Sequence, residues 1–263
     1  MIFWMLGLPI VAASTAWAVD GVVEINQAKI LANGGFPYTI AQPGSYRLTG
    51  NIDVSGLPTP HNVTAFIIGA RNVTLDLNGF TIRGPLTCSL GTSSGASLTC
   101  STTGGSGQGV VVVSPAYDAT TIRNGVIRGM GGGAIYLQNG FRHVIENVTA
   151  IENGADAFTI RDGRVNHVVA INNHGIGINA ASAIVSDAYV NGNLDIGINI
   201  SAHGLVSGAV SSFNGLFGLN LAPAVGYSNV VAISNNGGAG AVQINSGVSL
   251  SANLCNHSGT SCP

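Results

Sequence analysis

Residues 152–160 read ENGADAFTI, 172–180 NNHGIGINA, 191–199 NGNLDIGIN, 213–220 FNGLFGLN and 235–244 NNGGAGAVQI, and a short apolar run precedes each. Aligned on the small residue in each tail (Ala157, Gly177, Gly197, Gly218, Gly240), the lines place an asparagine in one column: Asn153, Asn173, Asn193, Asn214 and Asn236. The period of 20 to 22 residues falls in the range of solenoids.

The apolar runs decide which solenoid. HVVAIN (167–172), DAYVN (187–191) and YSNVVAIS (227–234) are short, rich in Val and Ile, and bounded by Gly, Asn and Ser. Helices do not fit between such breaks, and Gly, Asn, Val and Thr are poor helix formers. Each repeat therefore reads as two or three short strands. Stacking the repeats sets each strand parallel to its counterpart at about 4.8 Å. The expected fold is all-β, a single-stranded right-handed parallel β-helix. Its asparagine column would form an internal ladder, because a buried amide left unpaired costs about 1–3 kcal/mol.

Working outward, residues 1–18 are apolar and end in Ala16-Trp17-Ala18, a small-x-small cleavage signal. They read as a secretory signal peptide, which leaves residues 19–263 as one β-helix domain without a membrane segment. The expected location is secreted or periplasmic. Within the domain, residues 22–33 carry apolar side chains at 22, 25, 28 and 31 before a Gly-Gly stop, and read as a helix capping the open first coil. Residues 245–263 would cap the other end, since terminal repeats must be atypical.

Export favours oxidised cysteines. Short loops favour local pairs, Cys88 with Cys100 inside a loop insertion at 86–108, and Cys255 with Cys262 in the tail. Only 8% of residues are charged and the net charge is −2. No basic stripe suits nucleic acid. No motif supports a cofactor, calcium included, and no CxxC or His spacing supports a metal.

DLNGFTIRG (76–84) and TIRNGVIRG (121–129) each run strand, Asn-Gly turn, strand, Arg-Gly. With them the chain resembles secreted bacterial right-handed β-helix proteins of the pectin lyase-like superfamily. The resemblance implies a fold shared by polysaccharide lyases, hydrolases, epimerases and non-catalytic proteins, so it assigns no reaction. The Asn-Thr-Asp, Asp-Asp and Gly-His-Gly motifs of polygalacturonase-like hydrolases are absent.

Chemistry must then come from columns of side chains one coil apart. The alignment puts Asn124, Asn147, His167 and Asp187 in one column, beside Arg123, Glu146, Asn166 and Ser186 in the next. His167, Asp187, Glu146 and Arg123 form the candidate acid/base patch. The plainer alternative is an exposed cross-strand pair worth about 0.2–1 kcal/mol. A second cluster, Glu152, Asp156, His174 and Asp195, gathers at the ladder turn. The functional expectation is a non-catalytic protein that binds carbohydrate or another surface, or a scaffold. The alternative is a polysaccharide-active enzyme. A polysaccharide is the expected partner of the enzyme and of the carbohydrate-binding reading.

Overall fold

The computed structural model describes residues 21–90, 98–101, 104–236, 242–255 and 262; the expected signal peptide, 1–18, lies outside the described residues. The chain winds into a parallel β-solenoid of about ten turns. Each coil lays one short strand on each of three faces. On the first face Phe158 registers with Ile178, Ile198, Leu219 and Ile244. On the second, Leu75, Ile122, Ile145, Val165, Val185, Val206 and Tyr227 stack in register. On the third, Ala150, Ala170, Val190, Ser211 and Ala232 do so. Alternate side chains point inward, and these stacks form the fully buried core.

The ladder is present, with one change of member. The Nδ2 of Asn153 donates to Oδ1 of Asn173 at 2.8 Å, Asn173 to Asn193 at 2.9 Å, and Asn193 to Asn214 at 2.9 Å. Each Oδ1 also accepts the backbone N–H of the preceding rung. The fifth rung is Asn235 rather than Asn236: Asn214 donates to Asn235 Oδ1 at 2.8 Å, and Asn235 in turn to Gln243 Oε1 at 2.9 Å. Asn153 to Phe158, and its equivalents in the next three coils, have one spacing, whereas Asn235 to Ile244 is longer. Counting back from the tail glycine therefore misses by one.

The N-terminal segment 22–33 is not helical throughout. Val22–Ile25 is a strand in register with 45–48, as its β-branched residues favour. Helix α1 covers Gln27–Ala32, capped by Asn26, whose Oδ1 accepts the Lys29 N–H at 2.9 Å. It buries Ile30 in the core. Inside the 86–108 insertion, Cys88–Leu90 and Leu98–Cys100 pair antiparallel across the Cys88–Cys100 disulfide. Of the expected 245–263 cap, residues 256–261 and 263 lie outside the described residues. Val248–Ser249 and Leu254–Cys255 continue the solenoid as a further coil, and Cys255 bonds Cys262. Both disulfides accord with an oxidising compartment. Among the described residues no helix is long and apolar enough to cross a membrane.

Candidate functional site

Asn124, Asn147, His167, Asp187, Gly208 and Asn229 occupy the corner between the second and third faces, and each has a left-handed backbone, with φ between 49° and 63°. Asn, Asp, His and Gly are the residues that tolerate this conformation best. The corner's backbone thus accounts for its polar composition. His167 Nε2 stands 3.7 Å from Asp187 Oδ2, and their side chains are 60% and 55% exposed. Nothing there excludes water.

Arg123 and Glu146 lie one column away. They belong to a line of alternating charge, Glu24, Arg47, Asp76, Arg123 and Glu146, set by the register. Arg123 Nε donates to Asp76 Oδ2 at 3.0 Å, while its other arm is 3.9 Å from Glu146 Oε1. No ion pair or hydrogen bond joins Arg123 or Glu146 to His167 or Asp187 among the described residues. The structure forms an exposed His167–Asp187 pair and a half-buried Asp76–Arg123–Glu146 line where the sequence suggested one patch.

The turn cluster disperses as well. Glu152 accepts from Arg128 at 3.0 Å. Asp156 accepts the Ile176 N–H at 2.8 Å and Asn179 Nδ2 at 2.9 Å, and Asp195 caps the Ile196 N–H. Asp156 also begins an outer amide ladder that the sequence reading missed. Asn199 donates to Asn179 at 3.0 Å, Asn220 to Asn199 at 2.7 Å, and Asn245 to Asn220 at 2.8 Å. Its signal was visible: Asn179, Asn199, Asn220 and Asn245 each follow the first apolar residue of a first-face strand.

A concavity lies elsewhere. Strands Phe158–Asn166, Ile178–Ser186 and Ile198–Ser207 pass from the first face to the second without a loop. The bend uses Gly163 at φ 142° and Gly204 at φ 159°, and a Cβ on either would collide with the carbonyl of the preceding coil, His143 or Ala183. Two residues, Ser201 and Ala202, stand opposite Ala181, a bulge that widens the corner.

The result is a groove of about 450 Å³ across four coils, from Arg142 to His203. Its floor is Gly163, Ala183 and Gly204. One wall carries Asp162, Ser182 and His203 in register, and the other Val144, Arg164 and Ile184. Arg142 pairs with Asp118 at 3.2 Å, and Arg161 lies 4.8 Å over the Phe141 ring. Arg164 is exposed and has no hydrogen-bond or ion-pair partner among the described residues.

At the groove's end His143 is fully buried. Its Nε2–H donates to the Asn139 carbonyl at 2.7 Å, while Nδ1 accepts the Thr120 N–H at 3.2 Å. Acceptance of the Thr120 N–H requires an unprotonated Nδ1, and so the neutral ring. Burial lowers its pKa below the ordinary value, against the opposing pull of the Asn139 carbonyl, Asp118 and Asp162. Among the described residues no group of three or more His, Cys, Asp or Glu could hold a metal ion. The chain matches no protein-family model, no curated protein and no solved structure.

Proposed function

We propose that this protein is an exported, non-catalytic β-solenoid, a distant member of the pectin lyase-like group, that holds an anionic glycan chain in the groove beside Arg164. The observation that carries this reading is a guanidinium, that of Arg164, with no partner among the described residues, on the wall of the groove. Four coils at about 4.8 Å set a groove roughly 14 Å long, which suits a few pyranose units lying along the solenoid axis. Arg164 would pair with a carboxylate or sulfate, and Val144 and Ile184 offer aliphatic surface to a ring. The exposure of His167 and Asp187 weighs against catalysis by that pair, because acid/base groups gain their leverage where water is excluded.

One observation favours the enzymatic alternative. Asp162, Ser182 and His203 share a groove wall on successive coils, and a hydroxyl beside an imidazole is a nucleophile–base arrangement.

The test is calorimetric titration with acidic and neutral oligosaccharides, alongside an assay for new reducing ends and unsaturated products. Acidic oligosaccharides should bind without turnover, and Arg164→Gln should weaken them about tenfold or more, as loss of a charged hydrogen bond costs about 1.5–3 kcal/mol. Turnover abolished by Ser182→Ala, His167→Ala or Asp187→Asn would replace this reading with an enzyme. No binding by any glycan would leave the scaffold role.

A further inference from the structure

Eight Asn-Gly pairs occur in the chain, beginning at 33, 78, 124, 139, 153, 191, 214 and 236. Asparagine before glycine loses ammonia readily, because the glycine nitrogen closes on the asparagine Cγ with no side chain in the way. Ring closure needs two freedoms: a glycine N–H without a hydrogen bond, and a side-chain amide able to turn toward it.

Gly237 lies outside the described residues. Of the other seven pairs, the solenoid restrains six. Gly79, Gly154, Gly192 and Gly215 donate their N–H groups to the carbonyls of Asn124, Met130, Ser212 and Asn193 in the adjoining coil, at 2.7 to 3.1 Å. Asn124 is tied at both ends of its amide, to Asp76 Oδ1 at 3.1 Å and to Asn147 Nδ2 at 3.3 Å. Asn139 donates to the Val112 carbonyl at 3.0 Å, and Gly140 beside it is buried.

Asn33-Gly34 differs from all six. Both residues are exposed at the C-terminal end of α1, and the Gly34 N–H has no hydrogen-bond partner among the described residues. Asn33 Nδ2 donates only to the Lys29 carbonyl of its own helix, at 2.7 Å. A helix of six residues frays at its end without disturbing any contact between coils, and fraying releases the amide.

We propose that Asn33 is a site of spontaneous deamidation, and that the modification loosens the N-terminal cap of the solenoid. The Gly34 nitrogen forms a bond to Asn33 Cγ, the Cγ–Nδ2 bond breaks, and Nδ2 leaves as ammonia with the proton from the glycine nitrogen. Water then opens the succinimide at either carbonyl and leaves aspartate or isoaspartate. Either product sets a carboxylate at the C-terminal end of α1, where the carbonyl dipoles repel it. Neither can donate to the Lys29 carbonyl as the amide does. α1 is held on the first coil by Ile30 in the core and by two hydrogen bonds between Gln27 and the Asp53 backbone, so a weakened last turn leaves Ile30 less securely covered.

The experiment is ageing of the folded protein, with both disulfides formed, in mildly alkaline buffer at physiological temperature. Peptide mapping by mass spectrometry locates each exchange of NH2 for OH. Asn33 should react about tenfold or more faster than Asn78, Asn124, Asn139, Asn153, Asn191 and Asn214, whose surroundings must first open locally. A rate at Asn33 no greater than at those six would overturn the proposal. In denaturant the seven rates should converge; a spread that persists there would trace the selectivity to neighbouring residues rather than to the fold, and would overturn it too. The effect on the cap is read by hydrogen exchange on Asn33→Asp, which reproduces the aspartate product, against Asn33→Gln, which keeps a neutral amide. Amides in 29–33 should exchange about fivefold or more faster in the Asp variant, with the middle coils unchanged. Equal exchange in the two variants refutes the loosening.

Discussion

At the residue scale, Asn193 holds two neighbouring coils with one side chain. Its Oδ1 accepts the N–H and Nδ2 of Asn173, and its Nδ2 reaches the Ala170 carbonyl and Asn214 Oδ1. Asn193→Ala leaves several of these groups buried and unpaired, at about 1–3 kcal/mol each. A loss of about 3 kcal/mol or more is expected, roughly 10 °C in Tm for a domain of this size. Asp187→Gly should stay within about 0.5 kcal/mol, because Gly208 already fills the same corner position one coil on. Equal melting temperatures for the two variants would remove the ladder from its place in the fold's energetics. Their contrast marks what could be read beforehand. A buried amide repeats because every rung needs the next, so its column survives in the sequence. The His167 column repeats only a backbone conformation, for which Asn, Asp, His and Gly are interchangeable, and so it imitates a site.

At the element scale the corners carry the information that periodicity does not. Strand runs and turn residues revealed a coil of two or three short strands, since apolar alternation follows from burial alone. The groove was hidden because it depends on dihedral angles at Gly163 and Gly204 and on a two-for-one bulge, none of which alters the apolar pattern. Asn236 was misplaced for a related reason, as a turn that lengthens shifts the count.

The corner at His143 gives a pH dependence. The ring faces Asp118 and Asp162, with Arg142 beside it, and its folded pKa is lowered mainly by burial. Below the unfolded value near 6.5 the unfolded chain takes up a proton that the folded chain resists. Stability from this group is therefore complete above about pH 6.5 and falls as pH drops toward the folded pKa, where the loss levels off. Melting curves between about pH 7 and 5 should slope less in His143→Gln than in the parent. An identical slope would show that His143 does not titrate differently on folding.

At the scale of the whole molecule the solenoid is a one-dimensional stack in which each coil contacts only its neighbours, so cooperativity passes through every interface in turn. Charge is distributed unevenly along this stack. All the ion pairs among the described residues, from Arg47–Glu24 to His167–Asp187, precede Asp195, and the coils after it hold together by apolar packing and amide ladders. Weakening the junction between the two regions should uncouple them. Asn193→Ala acts at that junction, and its thermal melt should divide into two steps where the parent shows one. Salt screens exposed ion pairs within a Debye length of about 8 Å at physiological strength, so added sodium chloride should move the step belonging to the charged N-terminal coils and leave the other in place. A fluorophore on each region, read during the same melt at low and high salt, identifies the steps. Two steps with equal salt response would mean that the exposed ion pairs contribute nothing measurable. A single step would mean that coupling across the remaining strand pairs of that interface is strong enough without the amide rung.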